Sequence, residues 1–545
     1  MNVSLRFGAG AAVFALAVAC SPTEVPDDID GDDATVDDTE EADDVAAEDE
    51  DAAADDEEAA ADADEVEERE GDGVRFLIAE NFWADWVPYQ STAQSQQRLN
   101  VHLYDTLVQF PTGELDQPEP MLATDWEQID DTTWEFTLRD DVTFHEGQAL
   151  TAEDVVASVE RASGAAGEDT VLADRWVPTT GEVVDDHTVR LVTDSPLATL
   201  FDALRQTPII AAEDAEAGAD TLAERPNGTG PFRLTDETET RKDMEVNEDY
   251  WDEVPEIEEL TWEFVGDAQT RVNALLAGQA DAIDRVPAEH HDTIESEDGF
   301  TLQSMTGIEQ VNLLTVPGRW ELWDDNLELR QAVTMAIDRD AIVENLVQGE
   351  SQVAGSFMPS EVLYYQQGEP DYQQDLDAAS ELIQEIGAEG EEVELWVASG
   401  FLPRAEQVGE AVVANLNEIG LDAELVTTDV AGLVDDAHGD GTGSLYHLSW
   451  SSSGDPAAAL GIWGSEPWSD GSDETVQELL AAGMEVIDED EREEVYVDLQ
   501  AHFWEQLPHV PMYYSDFSVA HTDELEDLRV LPNFETNFTS ARLSD

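Results

Sequence analysis

The chain has 545 residues and a formal net charge of −107, with 129 Asp and Glu against 22 Lys and Arg. A single cysteine, Cys20, rules out an internal disulfide and any Cys-based zinc or iron–sulfur centre. No basic stripe exists to neutralise phosphates, which excludes nucleic acid as a partner, while the length allows two or three domains with sizeable cores.

The N-terminal element is Arg6 followed by the apolar run Phe7 to Ala19. It suits the hydrophobic part of a signal peptide and is too short to span a bilayer; no later stretch reaches that length. Cys20 stands where the run ends, and Ala17-Val18-Ala19-Cys20 resembles the lipobox of bacterial lipoproteins. That resemblance implies a signal peptide over 1–19, a lipid on Cys20 and an extracytoplasmic protein anchored to the cell membrane. The alternative is an ordinary signal peptide whose cysteine is incidental.

Residues 20–73 form an acidic tether. Ser21 to Asp72 holds about 27 acids, one arginine and no aromatic residue, too little apolar surface to fold. As a flexible coil its ends lie about 40 Å apart, further with charge repulsion. The remaining body still carries roughly −82, and Lys242 is its only lysine. Such a surface repels itself at ordinary ionic strength and is screened at about 1 M salt, which predicts a high-salt setting. A cation-binding protein would instead show D-x-D-x-D-G loops, and the globular part has none.

Order begins with the apolar strand Val74 to Ala79. Thr133 to Leu138 alternates with period two, as a half-buried strand does, and Thr151 with Asp154 forms a capping-box pattern that opens a helix. Apolar spacing predicts helices over Asp377–Ile386 and Ala405–Ile419, paired with strands over Glu392–Val397 and Ala423–Val426. The alternation of strands and helices gives an α/β class.

Three stretches resemble the family-5 extracellular solute-binding proteins, the peptide- and nickel-type binding components of ABC importers. The first runs from Leu103-Tyr104-Asp105-Thr106-Leu107 through Trp134 to Arg139 and Val142 to His145, ending at Leu150 to Val155. The second is Gly228-Thr229-Gly230-Pro231-Phe232 with Asn247, Tyr250-Trp251 and Leu275 to Asp281. The third is Leu329 to Val333 with Ala336 to Arg339 and Gly349. The resemblance covers about residues 74 to 540. It implies a two-lobed periplasmic-binding-protein-like fold with two interlobe crossing segments. Lobe I would take 74–315 plus 510–545, with an inserted subdomain near 111–225, and lobe II 316–509. It also implies a monomer that captures a small-molecule or peptide solute and passes it to an ABC permease and its ATPase, with no cofactor or metal. A sensor or hydrolase on the same fold is the alternative function.

The resemblance places the ligand loop at Trp450-Ser451-Ser452-Ser453-Gly454-Asp455. Trp450 supplies a ring face. Ser453 stands where peptide-binding relatives carry the aspartate that pairs with an α-ammonium, and Asp455 matches a turn residue. The serines favour a solute bound through hydroxyl-rich contacts, unless another acid takes the aspartate's part. Trp86 and Tyr89, after the first strand, and Arg404, at the start of a helix, complete the expected cleft; a surface ion pair is the other reading of Arg404. Gly228-Thr229-Gly230-Pro231 reads as a tight turn, Asp338-Arg339 as a helix cap and pair, and His145 and Asp154 as structural. No catalytic residue is expected: G-x-S-x-G, phosphate-loop and H-E-x-x-H patterns are missing, and Lys242 lies in the polar run Thr240 to Asp243. His290-His291 reads as a solvated helix end, because adjacent helical residues point about 100° apart.

Overall fold

The computed structural model describes residues 73–545, apart from 81–85, 87, 88, 90–93, 111–117, 167–169, 171, 173, 174, 219, 220, 223, 224, 350, 400, 440, 453, 466, 470 and 545. The expected signal peptide, Cys20 and the tether lie outside the described residues, as does Ser453.

In chain order the main elements are β1 (Val74–Ile78), α1 (Gln94–Leu103), β2 (Ala123–Asp130), β3 (Thr133–Leu138), α2 (Ala152–Ala162), β4 (Thr179–Asp185) and β5 (Thr188–Thr193). Then come β6 (Phe232–Glu237), β7 (Arg241–Val246), β8 (Glu259–Phe264), β9 (Ala282–Asp284), the 15-residue β10 (Phe300–Leu314) and α3 (Leu376–Ile386). The rest are β11 (Glu392–Ala398), α4 (Ala405–Glu418), β12 (Asp422–Thr428), β13 (Leu445–Ser451), α5 (Pro456–Gly461), α6 (Glu489–Gln506) and β14 (Val510–Thr522).

One mixed sheet runs through the molecule in the order β12-β11-β13-β10-β14-β9-β1-β8-β7-β6. Its centre is the antiparallel pair β10 and β14, and these long strands serve both flanks. The N-terminal half of β10 lies beside the part of β14 that pairs with β9, and its C-terminal half pairs with β13. Their mutual register breaks between Thr306 and Gln310, so the pair bends midway. On each flank the innermost strands are parallel: β1 with β8 and β9, β11 with β12 and β13. Parallel strands are covered on both faces, which explains why all five residues of β1 are buried. A separate four-stranded sheet, β2-β3-β5-β4, carries α2.

The capping box at α2 has a further role. Asp154 accepts from the Thr151 amide at 2.7 Å and, through its other oxygen, from the Ala212 amide at 2.7 Å, tying the helix to a distant segment. The Gly228-Thr229-Gly230-Pro231 motif needs its glycines for close approach. Neither glycine has positive φ, but a Cβ on Gly228 would meet the Leu103 carbonyl oxygen at 2.0 Å, and one on Gly230 the Leu103 carbonyl carbon at 2.5 Å. The tight-turn expectation is corrected to that.

Several of the scarce cations are buried. Arg98 pairs with Asp284 at 2.6 Å with both side chains buried, and its guanidinium lies 5.4–5.7 Å from the rings of Phe76, Trp262 and Phe517. Asp338 caps its helix through the Ala341 amide as expected. Arg339 does not pair within the helix; it donates to the carbonyls of Ala354, Pro511 and Tyr372, because that buried backbone needs donors. Lys242 is buried, with its ammonium 2.6 Å from Glu237.

Candidate solute chamber

A cavity of about 970 Å³ opens where β10 bends. One wall comes from Asp105 and its neighbours, Tyr250-Trp251 and the C-terminal segment around Arg529 and Asn533. The facing wall is Ser360 to Leu363 with Gly454, and Ile308 of β10 lies between them. Its volume is at the upper end of the range for small-molecule sites.

Asp105 sits fully buried two residues past the end of α1, where the motif puts an acid inside an apolar run. Its carboxylate accepts from Trp251 Nε1 at 2.7 Å, Thr229 Oγ1 at 2.9 Å and the Tyr250 hydroxyl at 3.2 Å. Burial outweighs these donors and pushes its pKa up to about 6. The folded state therefore holds a proton that the unfolded chain has already lost between about pH 4 and 6. This group's contribution to stability falls as pH rises through that window and is flat above it. Denaturation of wild type and Asp105→Asn at pH 4 and pH 7 should show the wild type losing about 2–3 kcal/mol relative to the variant. A constant difference would show an unshifted carboxyl.

Of the described residues in the loop expected to hold ligand, only Gly454 lines the chamber; Trp450, Ser451 and Ser452 do not, a correction that follows from the partners that hold them. Trp450 is half-buried and donates from Nε1 to the Ala458 carbonyl at 3.3 Å. Ser451 faces Glu309 across the β10–β13 pair. The Ser452 amide donates to the Ile308 carbonyl at 3.1 Å, and its hydroxyl accepts from the Gly454 amide at 3.0 Å. Gly454, at φ 94°, lines the chamber, and its carbonyl accepts from the Leu363 amide. Asp455 caps α5 and forms a buried pair with Arg492.

Trp86 and Tyr89 also lie away from the chamber. Trp86 is 5% exposed, with its indole N–H 3.1 Å from Glu237 and Lys242 over its ring; Tyr89 is 4% exposed and donates to the Pro208 carbonyl. Neither lines the chamber, a correction that follows from where those partners stand: Glu237 is exposed at the end of β6, and Pro208 lies in a separate segment. Arg404, also outside the chamber, lies 3.5 Å from Glu289 with both side chains about half exposed, joining the start of α4 to the segment after β9. His291 meets the Val286 carbonyl at 3.0 Å. Among the described residues no cluster of three or more His, Cys, Asp or Glu side chains could hold a metal ion, and no helix is long and apolar enough to cross a membrane. Sequence reasoning missed Asp105, Tyr250 and Trp251 as chamber residues; the acid inside Leu103 to Leu107 and the adjacent aromatics were the available signal.

Comparison with known proteins places this architecture. The family model described as bacterial extracellular solute-binding proteins, family 5 Middle, matches residues 117–471. The glutathione-binding protein of Salmonella typhi is 26% identical over 485 residues, covering 84% of this chain and 92% of that protein. The dipeptide-binding protein of Escherichia coli is 27% identical over 468 residues, covering 79% and 86%. The ABC transporter substrate-binding protein CtaP of Listeria monocytogenes superposes with a TM-score of 0.78 at 20% identity, over 87% of this chain and all of that one. Two flanks joined through a bent pair of crossing strands, and a family match over most of the chain, make this protein a member of the family-5 bacterial extracellular solute-binding proteins.

Proposed function

We propose that the protein is the solute-capturing component of an ABC importer. It holds a peptide-like or other elongated polar solute between two lobes and presents the closed form to a permease and its ATPase as a monomer. The observation that carries this reading is the chamber of about 970 Å³ at the bend of the crossing strands, walled from both flanks. The lobes divide as 74–315 plus 510–545 against 316–509, with the separate four-stranded sheet in the inserted subdomain at 111–225. Closure desolvates the solute and changes the surface that the permease reads. Cys20 carries the lipid anchor; Cys20→Ala should move the protein from the membrane fraction to the soluble one, and unchanged partition would overturn the anchor.

The serine-rich loop favours a solute that does not depend on a free α-amine, since a hydroxyl carries no charge to pair with an ammonium. Calorimetry in 3 M NaCl comparing a short peptide, its N-acetylated form and an oligosaccharide tests both steps. Binding of a probe with micromolar affinity supports capture. Binding of the free peptide that acetylation abolishes would refute the serine argument alone. Trp450→Ala should weaken that binding by about tenfold, or about 1.4 kcal/mol, through loss of the Ala458 contact that fixes the loop carrying Gly454. Unchanged affinity in a folded variant would make Trp450 a bystander.

A further inference from the structure

Tyr250 and Trp251 share one buried anchor. The tyrosine hydroxyl and the indole N–H both donate to the carboxylate of Asp105, which has no exposed surface. A half-buried aromatic residue ordinarily turns its polar end to water and its ring inward. Here the polar ends are satisfied inside the protein, and both residues border the chamber while remaining half-buried. Their ring centroids lie 5.4 Å apart at 51°, and the Arg139 guanidinium lies 4.2 Å from the Trp251 centroid, so one face of that indole is already covered. Thr229, from the close-packed glycine motif, also donates to Asp105, so the anchor is braced by backbone that a Cβ would displace.

We propose that Tyr250 and Trp251 form an aromatic shelf for a ring-bearing part of the solute, an aromatic side chain or a pyranose, with Asp105 as the positioning residue. This rests on the chamber being the solute site. Two rings held by their polar ends cost little conformational entropy on binding and offer apolar surface without an unsatisfied donor. Asp105 acts through the rings: an amide in its place has one acceptor oxygen where the carboxylate has two, so it cannot accept from Trp251, Thr229 and Tyr250 as the carboxylate does.

The test uses the full-length protein in 3 M NaCl with three probes: the tetrapeptides Ser-Phe-Ser-Ser and Ser-Ala-Ser-Ser, and cellotetraose. Calorimetry on the wild type should show a ring-bearing probe bound about tenfold or more tighter than Ser-Ala-Ser-Ser, and which one separates the aromatic from the pyranose source. Trp251→Ala should erase that preference, bringing the ring-bearing probe down to the affinity of Ser-Ala-Ser-Ser. Trp251→Phe, which keeps a ring and is the safer variant for folding, should keep most of the preference. Asp105→Asn should reduce it severalfold, and that selectivity ratio is a readout a purely structural residue would not move. A wild type that binds Ser-Ala-Ser-Ser as tightly as the ring-bearing probes, or a Trp251→Ala variant with selectivity intact, overturns the shelf and leaves solute capture standing. A wild type that binds none of the probes overturns both.

Discussion

Raising NaCl from 0.1 to 3 M should lift the thermal unfolding midpoint by about 10 °C or more. The cause is the distribution of charge. The body carries roughly −82, and several of its few cations are committed to internal partners. Arg98 and Arg75 hold buried carboxylates, while Arg339 and Arg271 satisfy backbone carbonyls. The acidic surface is left with little neutralising charge of its own. At 0.1 M the Debye length of about 10 Å lets neighbouring carboxylates repel, and at molar salt it drops to about 3 Å or less. Internal pairs are screened much less, so the response comes from the surface. A midpoint that stays flat over this range would refute the high-salt reading and show that internal contacts alone set stability.

The second large effect is expected at Arg492→Met. Arg492 Nη2 lies 2.9 Å from both oxygens of Asp455, its Nε donates to the Gly483 carbonyl at 2.9 Å, and its guanidinium sits 5.1 Å from the Tyr496 ring. Burial drives the Asp455 carboxyl upward and the guanidinium opposes it. Removing the cation strands a buried carboxylate, which costs about 3–5 kcal/mol, whereas Arg492→Met with Asp455→Leu should recover most of that loss. Urea unfolding of the four proteins of this cycle, at fixed salt, measures it. A double variant no better than the single one would show that the pair is not the relevant interaction. Asp455 also caps α5 and adjoins Gly454 on the chamber wall, so Arg492→Met should weaken solute binding as well.

Local pattern located much of the fold. The strand expected over Glu392–Val397 is Glu392–Ala398, the helix over Ala405–Ile419 is Ala405–Glu418, and the Thr151–Asp154 capping box is formed. Each rests on spacing within about a dozen residues, which periodicity reports directly. The three family-like segments were likewise legible as strings.

The sequence by itself determined the acidity, the α/β alternation and the family. Only the tertiary structure decided which aromatic residues face the chamber. Trp86 and Tyr89 look no different in sequence from Tyr250 and Trp251. The first pair is satisfied by Glu237 and Pro208, away from the chamber, and the second by Asp105 in the chamber wall. Those partners are 119 to 151 residues away in the chain. Hydrophobic period reports which side of an element is buried, but a buried donor must find its acceptor wherever the fold brings one. That choice is made by long-range packing.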